Sequence, residues 1–472
     1  MSSSIRLPGV DEDTNRLINR LNGNLEARRF RHDLRDAYYD GKRVLDYVGG
    51  VVPPQYYNLG LVLGWAGKGV DLLSRRCNLE GFEWADGNLD ALGASRIWDQ
   101  NMLGSEVDQA ITSTLIHGVS FVVTTRGGPG EPAAMLHFKD ATCATGDWNS
   151  RSRKLDNLLS ITGRDERGDV TSLALYLDGE TIYADRDGRT WDVSRSAHPW
   201  GMPAEPLPYR PRLRRPLGSS RITRSVMGLQ DAAVRELVRL EGHMDVYSYP
   251  EMWMLGADMG VFKNQDGTQK ANFEVMLGRI KGIPDDEDAD NPRVDVKQFP
   301  ASSPEPHLAA LNTYAKLFAR ETSLPDSSLA ITDFSNPTSA ESYDASQYEL
   351  IAEAEGATDD WSPALRRSFI RALAVANGED SIPDEWSSIA ASWRSPKHLS
   401  RAAQADAGLK QITAVPSLAN TEVGLELLGL DPLQIERVQS ELRRNASVSR
   451  LDALIGIGQQ ASERQASDGI GG

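Results

Sequence analysis

Cysteine and long apolar runs are both scarce in this sequence of 472 residues. Only Cys77 and Cys143 are present, without the close spacing of a metal knuckle or a redox pair. We therefore expect no disulfide framework and interpret both thiols as core fillers. The most apolar stretch, residues 59–73, is interrupted by Lys68 and Asp71 and is shorter than the ~20 residues that cross a bilayer. The first residues also lack the apolar run of a signal peptide, so we expect no export by that route and no membrane partner.

Positive charge is in deficit as well, because 67 acidic residues outnumber 51 basic ones and leave a formal net charge of −16. Neutralisation of phosphates by lysine and arginine supplies most of the affinity of a basic surface for nucleic acid. The composition argues against a protein that coats nucleic acid, but it permits one that handles DNA without gripping it. Apolar residues at 40% and charged residues at 25% are ordinary globular values, and the length predicts several domains.

The short motifs of catalysis and of ligand binding are missing too. The Gly67-Lys68-Gly69 triplet lacks both the first glycine of a phosphate-binding loop and the hydroxyl residue that holds magnesium. Ser120 lacks the second glycine of a nucleophile elbow. The acidic run at 285–290 lacks the ligand spacing of a calcium loop, and we expect it to be solvated. We therefore expect no cofactor, no metal and no catalytic residue, although a triad assembled from distant residues would leave no such motif.

The histidines show no ligand spacing, because none lies four residues from another. We interpret His243 and His307 as partly exposed helix residues rather than ligands. The seven histidines are His32, His117, His137, His198, His243, His307 and His398.

The order of predicted elements indicates an α+β chain that is mainly helical. Apolar spacing of three or four predicts helices over 11–47, 53–76, 88–102 and 105–117. Short segments rich in β-branched and aromatic residues follow, with Asp178-Gly179 and Asp187-Gly188 as hairpin turns. We interpret them as an antiparallel meander. Six prolines between Pro199 and Pro216 are then expected to break all regular structure.

An arginine-rich strap opens into one long amphipathic helix at 222–249, which Pro250 ends. The strap is read either as a DNA-binding patch or as a joint between domains. One face of the helix is apolar, and the sequence leaves open whether this face packs inside its own chain or against a neighbouring copy. The strap arginines are Arg210, Arg212, Arg214, Arg215, Arg221 and Arg224, and the apolar row is Val226, Leu229, Ala233, Leu237, Leu240, Met244 and Tyr247.

The remaining sequence alternates acidic loops with further helices. Residues 251–300 are predicted to form a small mixed α/β insertion that contains the acidic loop. Helices are predicted at 304–323, from 338 to about Gly356, and from Trp361 to Asn377-Gly378. Residues 398–445 have helical character, and the polar tail from Gln459 is expected to be disordered.

This order of elements resembles the portal proteins of tailed bacteriophages, particularly of phages that infect actinobacteria. The likeness covers residues 15–445 and depends on the succession of pieces, none of which is a catalytic signature. The pieces are YYDGK at 38–42, PPQYYNLGLVLGWAGKGVDLLSRR at 53–76, YRPRL at 209–213, LQDAAVRELVRLEGHMD at 229–245 and NPTSAES at 336–342.

The resemblance implies the portal fold, which has a wing, a stem of two tilted helices, a clip, a tunnel loop and a helical crown. It divides the chain as follows: 1–117 helical part of the wing, 118–198 β part of the wing, 199–221 linker, 222–250 first stem helix, 251–303 clip, 304–324 second stem helix, 325–337 tunnel-loop region, 338–397 long helix and return to the wing, 398–458 crown, and 459–472 disordered tail.

The resemblance also implies a function without catalysis. About a dozen copies would form a ring, expected to be a dodecamer, at one capsid vertex of the virion, through which double-stranded DNA is packaged and ejected. Assembly would take place in the host cytoplasm. The implied partners are further copies of the chain, double-stranded DNA, the large terminase subunit, the major capsid protein and scaffold, and a head–tail adaptor. The alternatives are an intracellular nucleic-acid-processing enzyme and a phage scaffold or adaptor without a DNA channel.

Site residues follow from the same division. The apolar row of the helix at 222–249 would pack the stem, and Arg210, Arg212, Arg214 and Arg215 would join wing and stem. The tunnel-loop candidates are Thr332, Asp333, Ser335 and Asn336, and the acidic loop of the clip comprises Asp285, Asp286, Glu287, Asp288 and Asp290.

Overall fold

The computed structural model describes residues 4–45, 56, 59–188, 190–247, 302–329, 345–397, 401–431 and 433–444. It also describes residues 266 and 268 and the backbone of three short strands at 252–255, 280–283 and 295–298. The chain is α+β and divides into two compact units, Met1–Pro396 and Lys397–Gly472.

Four helices open the larger unit: α1 Glu12–Tyr39, α2 Trp65–Ser74, α3 Ala94–Gln100 and α4 Leu103–His117. Asp11 caps α1 by accepting a hydrogen bond from the backbone N–H of Thr14. The prediction of one helix over 88–102 was wrong, because Gly93 takes a left-handed φ of +75° and separates a short 3-10 turn from α3.

The start of α2 also differs from the predicted helix over 53–76, since residues 59–64 are not helical. The side chain of Gln230 sets this boundary. Its Oε1 accepts from the backbone N–H of Ala66 at 2.8 Å, and its amide donates to the carbonyl of Leu63 at 2.7 Å.

Two antiparallel sheets follow. One has five strands in the order β4-β5-β6-β7-β8, which confirms the predicted meander for its later segments. The first two segments of that prediction, β2 and β3, lie instead in the other sheet, which has the order β3-β2-β9. Gly179, with φ +77°, lies in the predicted turn between β6 and β7. The strands are β2 Val119–Arg126, β3 Ala134–Asp140, β4 Ala144–Asn149, β5 Lys154–Arg164, β6 Val170–Leu177, β7 Glu180–Asp187, β8 Thr190–Ala197 and β9 Ala204–Pro208.

Strand β9 lies within the proline-rich stretch, so the prediction that this stretch has no regular structure was wrong. It pairs with β2 only, so it is an edge strand. Proline has no backbone N–H to donate, and an edge strand tolerates this because one of its sides has no partner strand. A separate two-stranded sheet joins β1, Leu79–Trp84, to β13, Ile389–Trp393.

Two long helices come next in the chain, α5 Arg224–Tyr247 and α6 Glu305–Glu321. Between them, the backbone forms β10 Met252–Leu255, β11 Ile280–Ile283 and β12 Asp295–Gln298. Strand β10 is central, parallel to β11 and antiparallel to β12.

Helix α7 runs without interruption over Tyr348–Asn377. The prediction of separate helices before and after about residue 360 was therefore wrong. Gly356 and Pro363 are poor helix formers, but Leu350, Ala354, Trp361 and other side chains on one face are buried in the core. This tertiary packing outweighs the local preference of the breakers.

The principal apolar cluster of the larger unit joins α2, α4, α7 and the sheet around β2. Cys77 lies in this cluster, while Cys143 is half-buried, and both are free thiols. A second cluster packs α1 against β5, β6 and β7.

The smaller unit contains α8 Arg401–Ala414, α9 Glu422–Leu427 and a helical segment at 433–444, consistent with the helical character predicted for residues 398–445. Within the described part of the chain, no helix is both long and apolar enough to cross a membrane.

Candidate functional site at the helix-pair joint

Arg221 gathers four elements at the point where α5 begins and α6 ends. Its side chain is buried, and its Nε donates to the carbonyl of Gly69 on α2 at 2.9 Å. One terminal nitrogen donates to the carbonyl of Thr322, which follows α6. The other reaches the hydroxyl of Tyr209 at 2.7 Å and Oε1 of Glu353 on α7 at 2.5 Å. We call this group the helix-pair joint.

Glu353 supplies the negative charge of the joint. Its Oε1 also accepts from Nη2 of Arg210 at 2.7 Å and from the hydroxyl of Tyr209. Burial by itself would raise the pKa of this carboxyl, but Arg221, Tyr209 and Arg210 together hold the pKa below its ordinary value. The buried Oε2 has no hydrogen-bond partner among the described residues.

The backbone around the joint takes uncommon conformations. Arg210 and Ser323 both have positive φ values, +48° and +52°, without being glycine. At Gly218, with φ +74°, a Cβ atom would lie 2.5 Å from the carbonyl oxygens of Gly118 and Tyr209. Such conformations persist where surrounding contacts over-determine the backbone, and they cluster at functional sites.

Helices α5 and α6 pack side by side and antiparallel, since Arg221 meets Thr322 at one end and His243 meets Ser302 at the other. Between these ends, Nδ1 of His307 lies 2.7 Å from Oε1 of buried Glu236. The rings of His243 and His307 are in edge contact at 5.0 Å. Sequence reasoning treated these histidines as single residues, because their partners lie on a different helix.

The predicted stem-packing row is divided by the structure. Val226 and Ala233 are buried, and Leu229, Leu237 and Leu240 are half-buried. Met244 and Tyr247 are 44% and 42% exposed. The row therefore lies partly outside the face that packs within the chain. The face of α5 that packs within the chain is offset from the predicted row, because it also includes Gln230, Val234, Glu236 and Val238.

The four arginines predicted to join wing and stem have two environments. Arg210 binds Glu353 in the joint. Arg212, Arg214 and Arg215 are exposed. The tunnel-loop candidates Thr332, Asp333, Ser335 and Asn336 and the clip acids at 285–290 lie outside the described residues.

A second buried ion-pair group ties β9 to α7, and sequence reasoning missed it. Glu205 is buried within the proline-rich stretch and accepts from Arg371 at 2.9 Å and from Arg367 at 2.8 Å. The two arginines are four residues apart, a spacing that places them on one helix face. This spacing was the signal available in the sequence.

The described residues contain no group of three histidine, cysteine or acidic side chains arranged to hold a metal ion. What the joint can do chemically is to bind four chain segments together through charge and hydrogen bonds. These contacts hold the four segments together.

Comparison with known proteins identifies the family. The sequence matches the family described as phage portal protein, SPP1 Gp6-like, over residues 18–445. It is 26% identical over 382 residues to the portal protein of Mycobacterium phage L5, covering 79% of this chain and 77% of that protein. The portal protein of Mycobacterium phage D29 is 26% identical over 383 residues, with the same coverage.

Solved structures of gene transfer agent particles also contain chains that match this one. A chain from the virion of the native particle is 14% identical, with a TM-score of 0.39, covering 78% of this chain and 90% of that one. A chain from the neck of the native particle, computed with C12 symmetry, is 16% identical, with a TM-score of 0.37 and the same coverage. The family match spans most of the sequence and confirms the resemblance, so the chain belongs to the phage portal protein family of the SPP1 Gp6-like type and is a structural portal protein.

Proposed function

We propose that the chain assembles into a ring of about a dozen copies at one capsid vertex, where double-stranded DNA enters during packaging and leaves during ejection. The observation that carries this proposal beyond family membership is the antiparallel pair α5 and α6. The apolar row of α5 stays partly exposed within one chain, so it offers Leu237, Leu240 and Met244 to a neighbour. A heterologous contact between different faces of adjacent copies closes a ring.

Each segment has a role in this proposal. The helices and sheets of 1–198 form the wing, α5 and α6 form the stem, and the strands between them belong to the clip at 251–303. The helix-pair joint fixes the stem to α7 and α2. Residues 325–337 would contribute the tunnel loop, and the helices of 398–458 would form the crown.

The charge of the chain supports a channel that DNA passes without being held. A duplex carries one charge per ~1.7 Å of its axis, and a wall that neutralised many phosphates would bind it tightly. A subunit with a formal net charge of −16 instead repels the duplex from the wall. The proposed role is structural, and hydrolysis of ATP is assigned to the large terminase subunit, which would dock before the head–tail adaptor replaces it.

Negative-stain electron microscopy of the purified chain tests the proposal. We expect rings with a central hole, alone or after co-expression with the capsid protein and scaffold. Compact particles without a hole under both conditions would contradict it. Nuclease and ATPase assays on the same preparation test the absence of catalysis, and activity that co-purifies with the chain would favour a nucleic-acid-processing enzyme.

A further inference from the structure

Part of the arginine strap leaves the fold as a short hairpin with a charged tip. The backbone N–H of Arg212 donates to the carbonyl of Arg215 at 3.1 Å, and the reverse bond is 2.7 Å. At its base, the N–H of Ser219 donates to the carbonyl of Tyr209 at 2.8 Å. These bonds define a hairpin whose tip is residues 212–215. We call it the arginine hairpin.

The exposure and composition of the side chains at this tip indicate a binding partner. Leu213 is 102% exposed, more than any other large apolar side chain that the structure describes. The three flanking arginines are exposed, and none forms an ion pair with another described residue. An exposed leucine between unpaired arginines is the composition of an interface, where arginine and large apolar side chains are common in binding hot spots.

Further positive charge lies behind the hairpin. Arg35 of α1 donates to the carbonyl of His117 at 2.9 Å, and the adjacent Gly118 accepts from Tyr209 at the hairpin base. Burial together with the charges of Arg31 and Arg215 lowers the pKa of Arg35 to about 10. No acidic residue occurs between Glu205 and Asp231 in the sequence. The fold thus gathers like charges at one place, and an acidic surface brought against them would relieve their repulsion.

We propose that the arginine hairpin docks on an acidic surface of the neighbouring copy of this chain. The inference deepens the proposed ring and rests on it. Charge complementarity favours a second copy, because each chain contains 67 acidic residues against 51 basic ones and is net negative. A protein surface is favoured over nucleic acid for two reasons. Contact with phosphates would not bury the apolar side chain of Leu213, and the net charge of −16 opposes the approach of DNA.

A charge-reversal variant tests the docking. Arg212→Glu, Arg214→Glu and Arg215→Glu together are expected to reduce ring yield at least tenfold in sedimentation velocity and electron microscopy. The matched control is Arg96→Glu, Arg151→Glu and Arg167→Glu, which makes the same change in charge at other exposed positions and should leave ring yield unchanged. Circular dichroism and thermal melting check that both variants fold, which the exposure of all six side chains favours.

A photo-crosslinker at Leu213 identifies what the hairpin touches. With p-benzoylphenylalanine there, the expected product is a chain-to-chain crosslink in rings, and Ile382, 41% exposed, is the control position. Rings that form equally well from the charge-reversed chain, without crosslinks at Leu213, would overturn the inference and leave the proposed ring intact. A charge-reversed chain that forms rings but loses DNA binding would assign the hairpin to nucleic acid and also overturn it. Failure of the unmodified chain to form rings would contradict the proposed function itself, and this inference with it.

Discussion

Glu353 and Arg221 place opposite charges in the interior of the larger unit, where their side chains are 8% and 3% exposed. A buried charge has a large desolvation cost, which only close pairing and hydrogen bonds offset. Arg221 meets this requirement through four acceptors on four segments. Removal of its only described carboxylate partner would leave the charge in place without compensation.

Glu353→Gln should therefore lower the free energy of unfolding of the larger unit by about 3 kcal/mol or more. The ten tryptophans all lie at or before Trp393, so their fluorescence in urea reports on this unit alone. Arg210→Gln is the control, because that side chain is 53% exposed and its ion pair should contribute less than about 1 kcal/mol. Equal losses of unfolding free energy in the two variants would contradict a larger contribution from the buried pair.

His32 is expected to make the stability of the larger unit depend on pH. Its Nδ1 lies 3.1 Å from Nδ1 of His117, and both rings are buried. Burial first, and then the charges of His117, Arg35 and Arg28, lower the pKa of His32 to about 4. The unfolded chain, with a histidine pKa near ~6.5, binds this proton more readily than the folded chain.

The stability of the folded chain should consequently fall as pH drops from about 6.5 towards about 4, by at most about 1.4 kcal/mol per pH unit from this group. Urea unfolding at pH 7.5, 6.0 and 5.0 measures the slope. His32→Asn removes the titrating ring, so its slope should be smaller over the same window. Parallel curves for the two proteins would exclude His32 as the source.

At the scale of elements, α5 has two adjacent faces that differ in burial. Gln230, Val234 and Val238 pack within the chain, while Leu237, Leu240 and Met244 stay half-buried or exposed. An apolar row that a chain only partly covers is available to another copy.

Leu237→Asp is expected to reduce ring yield strongly and to reduce the free energy of unfolding of one chain only slightly. Because Leu237 is half-buried, its loss should cost the isolated chain about 1 kcal/mol, below the range for a fully buried leucine. Sedimentation velocity measures the ring and urea unfolding measures the chain. Ser225→Ala, at an exposed position in the first turn of α5 and about 120° around the helix from Leu237, is the control and should change neither. Unchanged stability together with unchanged ring yield would remove α5 from the stem interface.

Elements with a strong local pattern were predictable from sequence, and those that depend on distant contacts were not. The periodicity of α4, α5 and α6 and the Asp-Gly turn before β7 gave their type and approximate bounds. The start of α2 depends on Gln230, 164 residues away, and the unbroken course of α7 depends on a buried apolar face. The joint was missed because Arg221 and Glu353 are 132 residues apart and no local pattern marks a buried pair.

For the whole molecule, the distribution of charge matters more than its total. The acidic excess is spread over the chain, whereas the arginine hairpin places three exposed arginines within four residues. In a ring this arrangement can give copy-to-copy attraction at one place and repulsion of DNA at the channel wall. Both effects weaken as salt rises, because exposed charges are screened beyond about 8 Å at physiological ionic strength.

Asp333 and Asn336 lie outside the described residues, and we propose that they belong to the tunnel loop and face the channel. Asp333→Lys with Asn336→Lys adds three positive charges per subunit, so the ring should bind duplex DNA more tightly, with a steeper dependence of log affinity on log salt. Because tighter binding opposes sliding, the mass of DNA packaged per particle should fall. Glu166→Lys with Ser152→Lys makes the same charge change at two exposed turn residues of the proposed wing and should leave packaging unchanged. Equal packaging by both variants would place Asp333 and Asn336 away from the DNA.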